Sequence, residues 1–268
     1  MRLSKPLLPK EHGAWAMLIV PLLLGAAIAP VWHYRTILLF VAALAFFLMR
    51  HPLATLVKFR QRKNMDRTYL WQWSIIYGGV ALLGVGWLIV GYRLWWLLVL
   101  GGVGSLLVLF HLWLVARRQE MSVIGELSGI VGLALGAPMA YYTASGQLDG
   151  LAWLLWLINL LYFSGTVFYI KLKVRQQPRL PAPTQVSDRL IKAKACLTYQ
   201  TLALTVSIVV VALELAPKLL PLALLPAALK SFYGAWQWQD RASLSLLRLG
   251  IIEIVHAILF AGLVIAAF

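Results

Sequence analysis

Nine apolar segments, each about 20 residues long, follow one another along this chain with short polar connections between them. A helix needs about 20 mostly apolar residues to cross the roughly 30 Å hydrocarbon layer of a membrane. The segments are continuous rather than alternating, which predicts α-helices and not the strands of a barrel. The expected fold class is therefore all-α, a polytopic membrane helix bundle with about nine transmembrane helices at 13–32, 36–57, 69–91, 94–115, 121–144, 151–170, 195–215, 219–236 and 248–268.

The composition agrees with this prediction. Hydrophobic residues make up 62% of the 268 residues and charged residues 12%, whereas soluble proteins carry about 25% charged residues. A net charge of +15 would indicate a nucleic-acid partner in a soluble protein. In a membrane protein the same surplus marks the cytoplasmic side, so we expect no nucleic acid as a partner. The one cysteine, Cys196, excludes an intramolecular disulfide and a cysteine-based metal site.

The positions of the lysines and arginines predict the orientation of the segments. With the N-terminus in the cytoplasm, 21 of the 24 basic residues fall on the cytoplasmic side, and only Arg35, Arg93 and Lys218 fall outside. This asymmetry satisfies the positive-inside rule. We therefore expect a multi-pass protein of the inner (plasma) membrane, with its N-terminus in the cytoplasm and its C-terminus outside.

The connections are too short for a separate soluble domain. The two longest, residues 58–68 and 171–194, are basic and face the cytoplasm in this orientation. The first apolar segment follows a basic start, as in a signal peptide, but it is long for one, and we expect it to be retained as a helix. The chain is predicted to form a single integral membrane domain over residues 1–268.

Ionisable residues inside the apolar segments are the first candidates for a site. Such a residue costs about 2.5–3.5 kcal/mol on insertion scales, so it needs a structural or functional reason. Glu126, Glu253, His256 and His111 all fall in the cytoplasmic half of their spans. As a group they predict one polar cavity, although any of them alone is as well explained by a buried pair that holds helices together.

Two other patterns point to the same level of the membrane. Glu11 and His12 precede the first span. A carboxylate beside an imidazole there can act in acid–base chemistry or as metal partners, and a carboxylate before a helix is also favoured by the helix dipole. Cationic side chains follow the second and sixth spans and could bind phosphate, although basic loops often bind only lipid headgroups. The predicted catalytic residues are Glu11, His12, Glu126, Glu253 and His256, and the predicted substrate- or phosphate-binding residues are Arg50, His51, Lys171, Lys173 and Arg175.

The fifth span carries glycines at spacings of four, three and four, namely Gly125, Gly129, Gly132 and Gly136. Small residues at these spacings let a neighbouring helix approach the backbone closely. They also leave room for a long apolar ligand. Helix packing is the simpler interpretation of this series.

Three strings carry a resemblance to a known family. They are PKEHGAWAML at 9–18, ELSGIVGLALGAP at 126–138 and YIKLKVR at 169–175. With these strings the chain resembles the YwiC-like family of bacterial integral membrane proteins over essentially its whole length. The resemblance implies a membrane protein and no particular activity, because the family is uncharacterised.

A remoter similarity is to the UbiA-type intramembrane prenyltransferases. It implies a UbiA-like nine-helix bundle that binds an isoprenyl diphosphate at a lipid-open cavity, with the site at connections corresponding to 58–68 and 171–194. That family binds magnesium diphosphate through aspartate-rich repeats. This chain has four aspartates, no two of them three or four residues apart, and only a fragment of such a motif at 64–67. A Mg²⁺ cofactor is therefore not supported by these motifs, and the cofactor is left open.

Three classes of function follow. The first is an enzyme, at best a UbiA-like transferase, that acts on an isoprenoid or quinone-type lipid in a cytoplasm-facing cavity. The second is a small proton-coupled transporter in which Glu126 and the Glu253–His256 pair relay protons. The third is a non-catalytic membrane assembly factor. Membrane lipids are the expected partners in each case, and the oligomeric state is open.

Overall fold

A computed structural model describes residues 6–8, 12–60, 67–238 and 245–268, without the side chain of His12. This part of the chain contains helices and no β-strand. A π-helical turn at Lys171–Gln176 and a 3-10 turn at Gln177–Arg179 continue the seventh helix. The α-helices are α1 (His12–Ile28), α2 (Arg35–Lys58), α3 (Thr68–Tyr92), α4 (Trp96–Ala116), α5 (Val123–Ala134), α6 (Gly136–Ser145), α7 (Gly150–Ile170), α8 (Val186–Lys192), α9 (Lys194–Ala212), α10 (Leu220–Trp236) and α11 (Leu246–Ala267).

The helical membrane fold predicted from the sequence is confirmed. Seven helical segments of the described chain are long and apolar enough to cross a membrane, counting α5 with α6 and α7 with its two turns as one segment each. They coincide with seven of the nine predicted spans. The other two predicted spans correspond to α1 and α10, which have 17 residues each and lie at the lower limit for a membrane-crossing helix.

The fifth span is interrupted at Leu135, which separates α5 from α6. Pro138 explains the break, because proline has no N–H to bond the carbonyl four residues earlier, and its ring clashes with that carbonyl. The Leu135 N–H donates to the carbonyl three residues earlier, that of Gly132, at 3.2 Å. The second span behaves differently, since α2 continues through Arg50 and His51 as far as Lys58.

The chain divides into two compact units, residues 1–156 and 157–268, with the boundary inside α7. In the first unit α2 packs along α3, α1 packs along α6, and α4 packs along α5. Gly25 is the point of closest approach between α1 and α6, since a Cβ there would lie 2.1 Å from the Ala137 carbonyl oxygen. This pairing therefore depends on the absence of a side chain at one position.

In the second unit α10 packs between α9 and α11. The C-terminal half of α7 approaches α10 where Gly234 faces Tyr169, because a Cβ at Gly234 would lie 2.6 Å from that ring. The same half of α7 approaches α9 at Gly165, against which the Gln200 amide lies. These close contacts place the Tyr169 ring against α10 and the Gln200 amide against α7.

Candidate functional site

A cavity of about 470 Å³ lies within the first unit and is lined by residues from α1 to α6. Its walls are mostly aliphatic and aromatic side chains. Seven glycines also line it, and three of them (Gly101, Gly102 and Gly104 on α4) would carry a Cβ into open space, with nothing within 4 Å. The volume is within the range of small-molecule sites, about 300–1,000 Å³.

The glycines of the fifth span have two roles. Gly125 belongs to the helix start, where a Cβ would lie 2.6 Å from the Glu120 carbonyl oxygen. Gly129, Gly132 and Gly136 line the cavity, and a Cβ at Gly136 would press on Leu22 at 3.1 Å. The close-packing interpretation therefore holds at Gly125 and Gly136. Gly129, Gly132 and Gly136 also border open space, and an apolar ligand in that space stays a prediction.

The ionisable groups of the cavity lie toward one end. Among the described lining residues, only Arg50, Ser105 and His111 have polar N–H or O–H side chains, and the Ser105 hydroxyl donates to the Gly101 carbonyl of its own helix at 2.8 Å. The Arg50 guanidinium lies 3.8 Å from where a Cβ of Gly129 would be. At 1.5 Å per residue, Arg50 lies roughly 16 Å along α2 from Leu39, which lines the apolar part.

An ion pair lies close to His111 at this polar end. Lys58 Nζ, at the end of α2, is 2.9 Å from Glu120 Oε1 in the connection between α4 and α5. Burial opposes the charge of Glu120, but the hydrogen bond from Lys58, a backbone hydrogen bond and the electrostatic effects of Lys58 and His111 outweigh it. The pKa of the Glu120 carboxyl is therefore below its ordinary value.

The Glu120→Gln variant should lose a small, pH-dependent contribution to stability. Because the folded-state pKa is lowered, the contribution is present above the carboxyl's ordinary pKa and is lost as the pH falls through the lowered value. The Lys58 side chain is 51% exposed, so we expect a loss below about 1 kcal/mol. Thermal unfolding in detergent at neutral and acidic pH measures it, and a difference that does not shrink in acid would contradict it.

In the second unit Glu253 forms a buried ion pair with Lys230. Lys230 Nζ on α10 lies 2.6 Å from Glu253 Oε1 on α11, and the two side chains are 6% and 10% exposed. The Lys230 ammonium also lies 4.6 Å from the centre of the Tyr169 ring. The charge on Glu253 is thus balanced by a lysine on a neighbouring helix and not by His256.

Two polar atoms at this pair have no hydrogen-bond partner among the described residues. They are Glu253 Oε2 and the Tyr162 hydroxyl, both buried. Tyr162 stacks on Phe260, with ring centres 4.0 Å apart, two turns after Glu253 on α11. The His256 ring lies on the same helix and bonds through Nδ1 to the Ile252 carbonyl at 2.8 Å, which leaves Nε2 for any acid–base role.

The predicted catalytic residues are distributed between the two units. Glu126 lies in the first turn of α5, half-buried and three residues before Gly129, where the helix dipole favours its charge. Glu253 and His256 belong to the second unit. Glu11 and the side chain of His12 lie outside the described residues. The single cavity predicted for this group stays a prediction.

The predicted phosphate-binding residues are divided in the same way. Arg50 lines the cavity, and His51 follows it in α2, half-buried. Lys171, Lys173 and Arg175 lie on the π-helical turn of the second unit. Lys173 is buried and donates to the Gln237 carbonyl at 2.7 Å, so part of its hydrogen-bonding capacity ties α7 to the end of α10.

Sequence reasoning missed Lys230 as a site residue, although a signal was present. Lys230 falls inside the predicted span 219–236, in the run AALKSFYGAW, and it is one of the 21 basic residues that the orientation places on the cytoplasmic side. A lysine inside an apolar run needs a partner, and Glu253 is the carboxylate that supplies it.

The donor groups do not suggest a metal centre. Among the described residues, no group of three or more His, Cys, Asp or Glu side chains could hold a metal ion. Asp149 caps the start of α7, accepting from the Leu151 and Ala152 N–H groups. The motif fragment at 64–67 lies, except for Arg67, outside the described residues.

Comparison with known proteins identifies the family. A family model described as YwiC-like protein matches residues 8–141, a segment that includes every residue lining the cavity. The chain is also 31% identical to the uncharacterised protein YwiC of Bacillus subtilis over 176 residues, 65% of this chain and 69% of the relative. The chain belongs to the YwiC-like family.

A second relative comes from another bacterium. This YwiC-like chain is 28% identical to an uncharacterised protein of Haemophilus influenzae over 181 residues, 65% of this chain and 71% of the relative. No solved structure matches the chain. The resemblance to the YwiC-like family is thus confirmed, whereas the UbiA-like arrangement of helices stays a prediction.

Proposed function

We propose that this YwiC-like protein binds a long-chain lipid of the isoprenoid or quinone type in the cavity of its first unit. The observation that carries the proposal is the cavity itself: about 470 Å³, apolar along most of its length, with ionisable side chains toward one end. Pockets of this kind hold ligands by apolar burial, while a few polar groups orient them.

The rim of the cavity supports entry from the membrane. Leu82 on α3 and Leu98 on α4 both line the cavity and are 77% and 64% exposed. An apolar, exposed rim on two apolar helices favours contact with lipid chains over contact with water. A lipid would therefore enter sideways between α3 and α4. In the orientation expected from the basic residues, the Arg50 end faces the cytoplasm of a plasma-membrane protein.

A reaction on this lipid is a second part of the proposal. The described lining residues include no carboxylate, so they do not fit a magnesium diphosphate, which needs several carboxylate oxygens. Glu126 is the nearest of the predicted acid–base residues along α5, three residues before the lining Gly129. We propose it as the general acid or base of a reaction at the lipid's head, with His111 beside that head and Glu11 and His12 as further candidates.

A second candidate function is a proton-coupled carrier. The Lys230–Glu253 pair favours it, because buried ionisable groups inside apolar helices mark proton and ion pathways in transporters. Uptake of a solute into vesicles that depends on a pH gradient, and that is lost in a stably folded Lys230→Met, Glu253→Gln double variant, would favour this function over lipid binding.

The test of lipid binding is the mass spectrum of lipids that co-purify with the protein. The Gly101→Leu variant should fill the cavity without a steric clash, because a Cβ there meets nothing within 4 Å. Leucine also has a higher helix propensity than glycine. We expect at least a roughly tenfold loss of bound lipid, which corresponds to about 1.4 kcal/mol.

The matched control is Gly86→Leu on α3. Gly86 is half-buried like Gly101, its Cβ would also meet nothing within 4 Å, and it does not line the cavity. This variant should retain lipid at the wild-type level. The proposal fails if the wild type carries no lipid above the bulk composition, or if both variants retain lipid equally.

A further inference from the structure

A short helix of the second unit presents its apolar side away from the protein. Helix α8 (Val186–Lys192) lies between the turns that follow α7 and the start of α9, and none of its residues is buried. Its apolar residues are Val186, Leu190 and Ile191, which fall within about 140° of one another around the helix. All three are exposed, Ile191 by 63%. A surface helix usually has the opposite arrangement, with its apolar residues facing the core.

The polar side of α8 is the side that contacts the protein. The Arg189 guanidinium donates to the Pro183 carbonyl at 2.9 Å and to the Trp236 carbonyl, at the end of α10, at 3.2 Å. Lys192 Nζ lies 5.6 Å from the centre of the Trp238 ring. These contacts of the basic side chains hold α8 against the end of α10, so its apolar side chains face outward.

The place of α8 in the chain is at a membrane surface. The segments before and after it, Gly150–Arg179 and Lys194–Ala212, are both long and apolar enough to cross a membrane. Residues 180–193 therefore lie where one crossing ends and the next begins. The exposed Trp236 is at the same level, because Arg189 bonds to its carbonyl. Tryptophan is enriched where the hydrocarbon layer meets water.

The charges around α8 favour an anionic lipid surface over a protein as its partner. Residues 177–194 include four basic residues and a single acidic one, Asp188. Arg179, Lys192 and Lys194 are exposed. In the orientation expected from the basic residues, this connection faces the cytoplasmic leaflet, which contains anionic lipids. Exposed apolar side chains flanked by basic ones are typical of helices that lie in the membrane interface.

We propose that α8 lies in the interface of an anionic membrane, parallel to its surface. Its apolar side chains would enter the boundary between headgroups and acyl chains to a depth of about 5–10 Å. The exposed basic side chains of Arg179, Lys192 and Lys194 would lie beside lipid phosphates. This contact fixes the end of α7 and the start of α9 at the membrane surface. It concerns the second unit and does not depend on a lipid in the cavity of the first.

The experiment places an environment-sensitive fluorophore on single cysteines of the full-length protein in nanodiscs. Cys196 is the only cysteine of the chain and is buried, so Cys196→Ser provides the background. Leu190→Cys places the label on the apolar side. Asp188→Cys is the matched control, because it is exposed, two residues away and about 160° around the helix. The bilayer is phosphatidylcholine with or without phosphatidylglycerol, and the quenchers are a lipid-borne nitroxide and aqueous acrylamide.

We expect the nitroxide to quench the label at Leu190 more strongly than the label at Asp188, and acrylamide to show the reverse order. Lys194→Gln should lower the ratio of nitroxide to acrylamide quenching at Leu190 about fivefold in the anionic bilayer, the effect of one basic residue near such a surface. It should leave this ratio unchanged in phosphatidylcholine alone. Lys218→Gln, which removes an exposed lysine between α9 and α10, should change neither ratio.

Equal quenching of the two labels in the anionic bilayer would overturn the inference. So would a label at Leu190 that neither quencher reaches, because a protein surface would then cover α8. An equal effect of Lys194→Gln in both bilayers would contradict the role of charge. Hydrogen exchange of the wild type needs no variant: the amides of residues 186–192 should exchange more slowly in the anionic bilayer, and equal exchange would count against the proposal.

Discussion

Glu253→Gln and Lys230→Met, made singly, are each expected to lower the free energy of unfolding by about 3–5 kcal/mol. Each variant leaves one charged partner of the pair buried and unbalanced, since both side chains are at most 10% exposed. Glutamine keeps the size of Glu253 and a hydrogen-bond acceptor. Methionine keeps the unbranched length of Lys230 and a favourable contact with the Tyr169 ring.

The double variant, Lys230→Met with Glu253→Gln, should recover most of the lost stability. Replacing both members of a buried ion pair is often neutral or stabilising, because the desolvation cost of both charges disappears with their attraction. Thermal unfolding in detergent measures all three variants against the wild type. The control is Arg248→Met, an exposed position on α11, which we expect to stay within about 0.5 kcal/mol.

Comparing the two single variants with the double variant would also show what the Lys230–Glu253 pair does. Additive losses in the double variant would contradict a direct interaction and would mean that each charge has another partner. A double variant that is stable and retains its bound lipid would identify the pair as a structural contact of the second unit. A stable double variant that has lost proton-dependent transport would favour the carrier.

The sequence predicted the helices well because apolar length is a local property. A run of about 20 apolar residues specifies a membrane-crossing helix whatever its neighbours are. The break at Leu135 was not predicted, because a proline does not by itself decide where a helix ends: α2 continues through Pro52, whereas the fifth span is interrupted before Pro138. The extension of α2 through Arg50 and His51 was less evident, since two polar residues ended the apolar run there.

The sites were harder to predict because they depend on which helix faces belong together. Glu253 and His256 share a helical face by spacing, yet the partner of Glu253 is Lys230, which is 23 residues away in sequence. The glycines of the fifth span were visible as a pattern, but spacing alone does not show that Gly129, Gly132 and Gly136 border a cavity. Tertiary packing decides both the partner of Glu253 and the position of the cavity, and a single sequence does not show directly which helix faces pack together.

A single methyl group added at Gly25 is expected to lower the free energy of unfolding nearly as much as loss of one partner of the Lys230–Glu253 ion pair. In Gly25→Ala the new Cβ would lie 2.1 Å from the Ala137 carbonyl oxygen and 2.9 Å from the Tyr141 nitrogen. These are backbone atoms of α6, so the clash is relieved only by moving α1 away from α6. Overpacking of this kind costs about 1–3 kcal/mol, and the shift of a whole helix favours the upper part of that range.

The same substitution at the start of the helix provides the control. Gly13→Ala adds a methyl group that meets nothing within 4 Å, and alanine is favoured over glycine in helices by up to about 1 kcal/mol. We therefore expect Gly13→Ala to be neutral or slightly stabilising and Gly25→Ala to be clearly destabilising. Unfolding midpoints in detergent compare the two, and equal midpoints would contradict the close approach of α1 to α6.

The displacement of α1 should also weaken lipid binding. Leu18 on α1 lines the cavity, and Leu22, one turn later, supports the lining Gly136 from the other side. Moving α1 outward therefore opens the wall formed by α5 and α6, and a looser wall makes fewer contacts with an apolar chain. Gly25→Ala should retain less co-purified lipid than Gly13→Ala. Full retention by a destabilised Gly25→Ala protein would show that α1 stabilises the first unit without shaping its cavity.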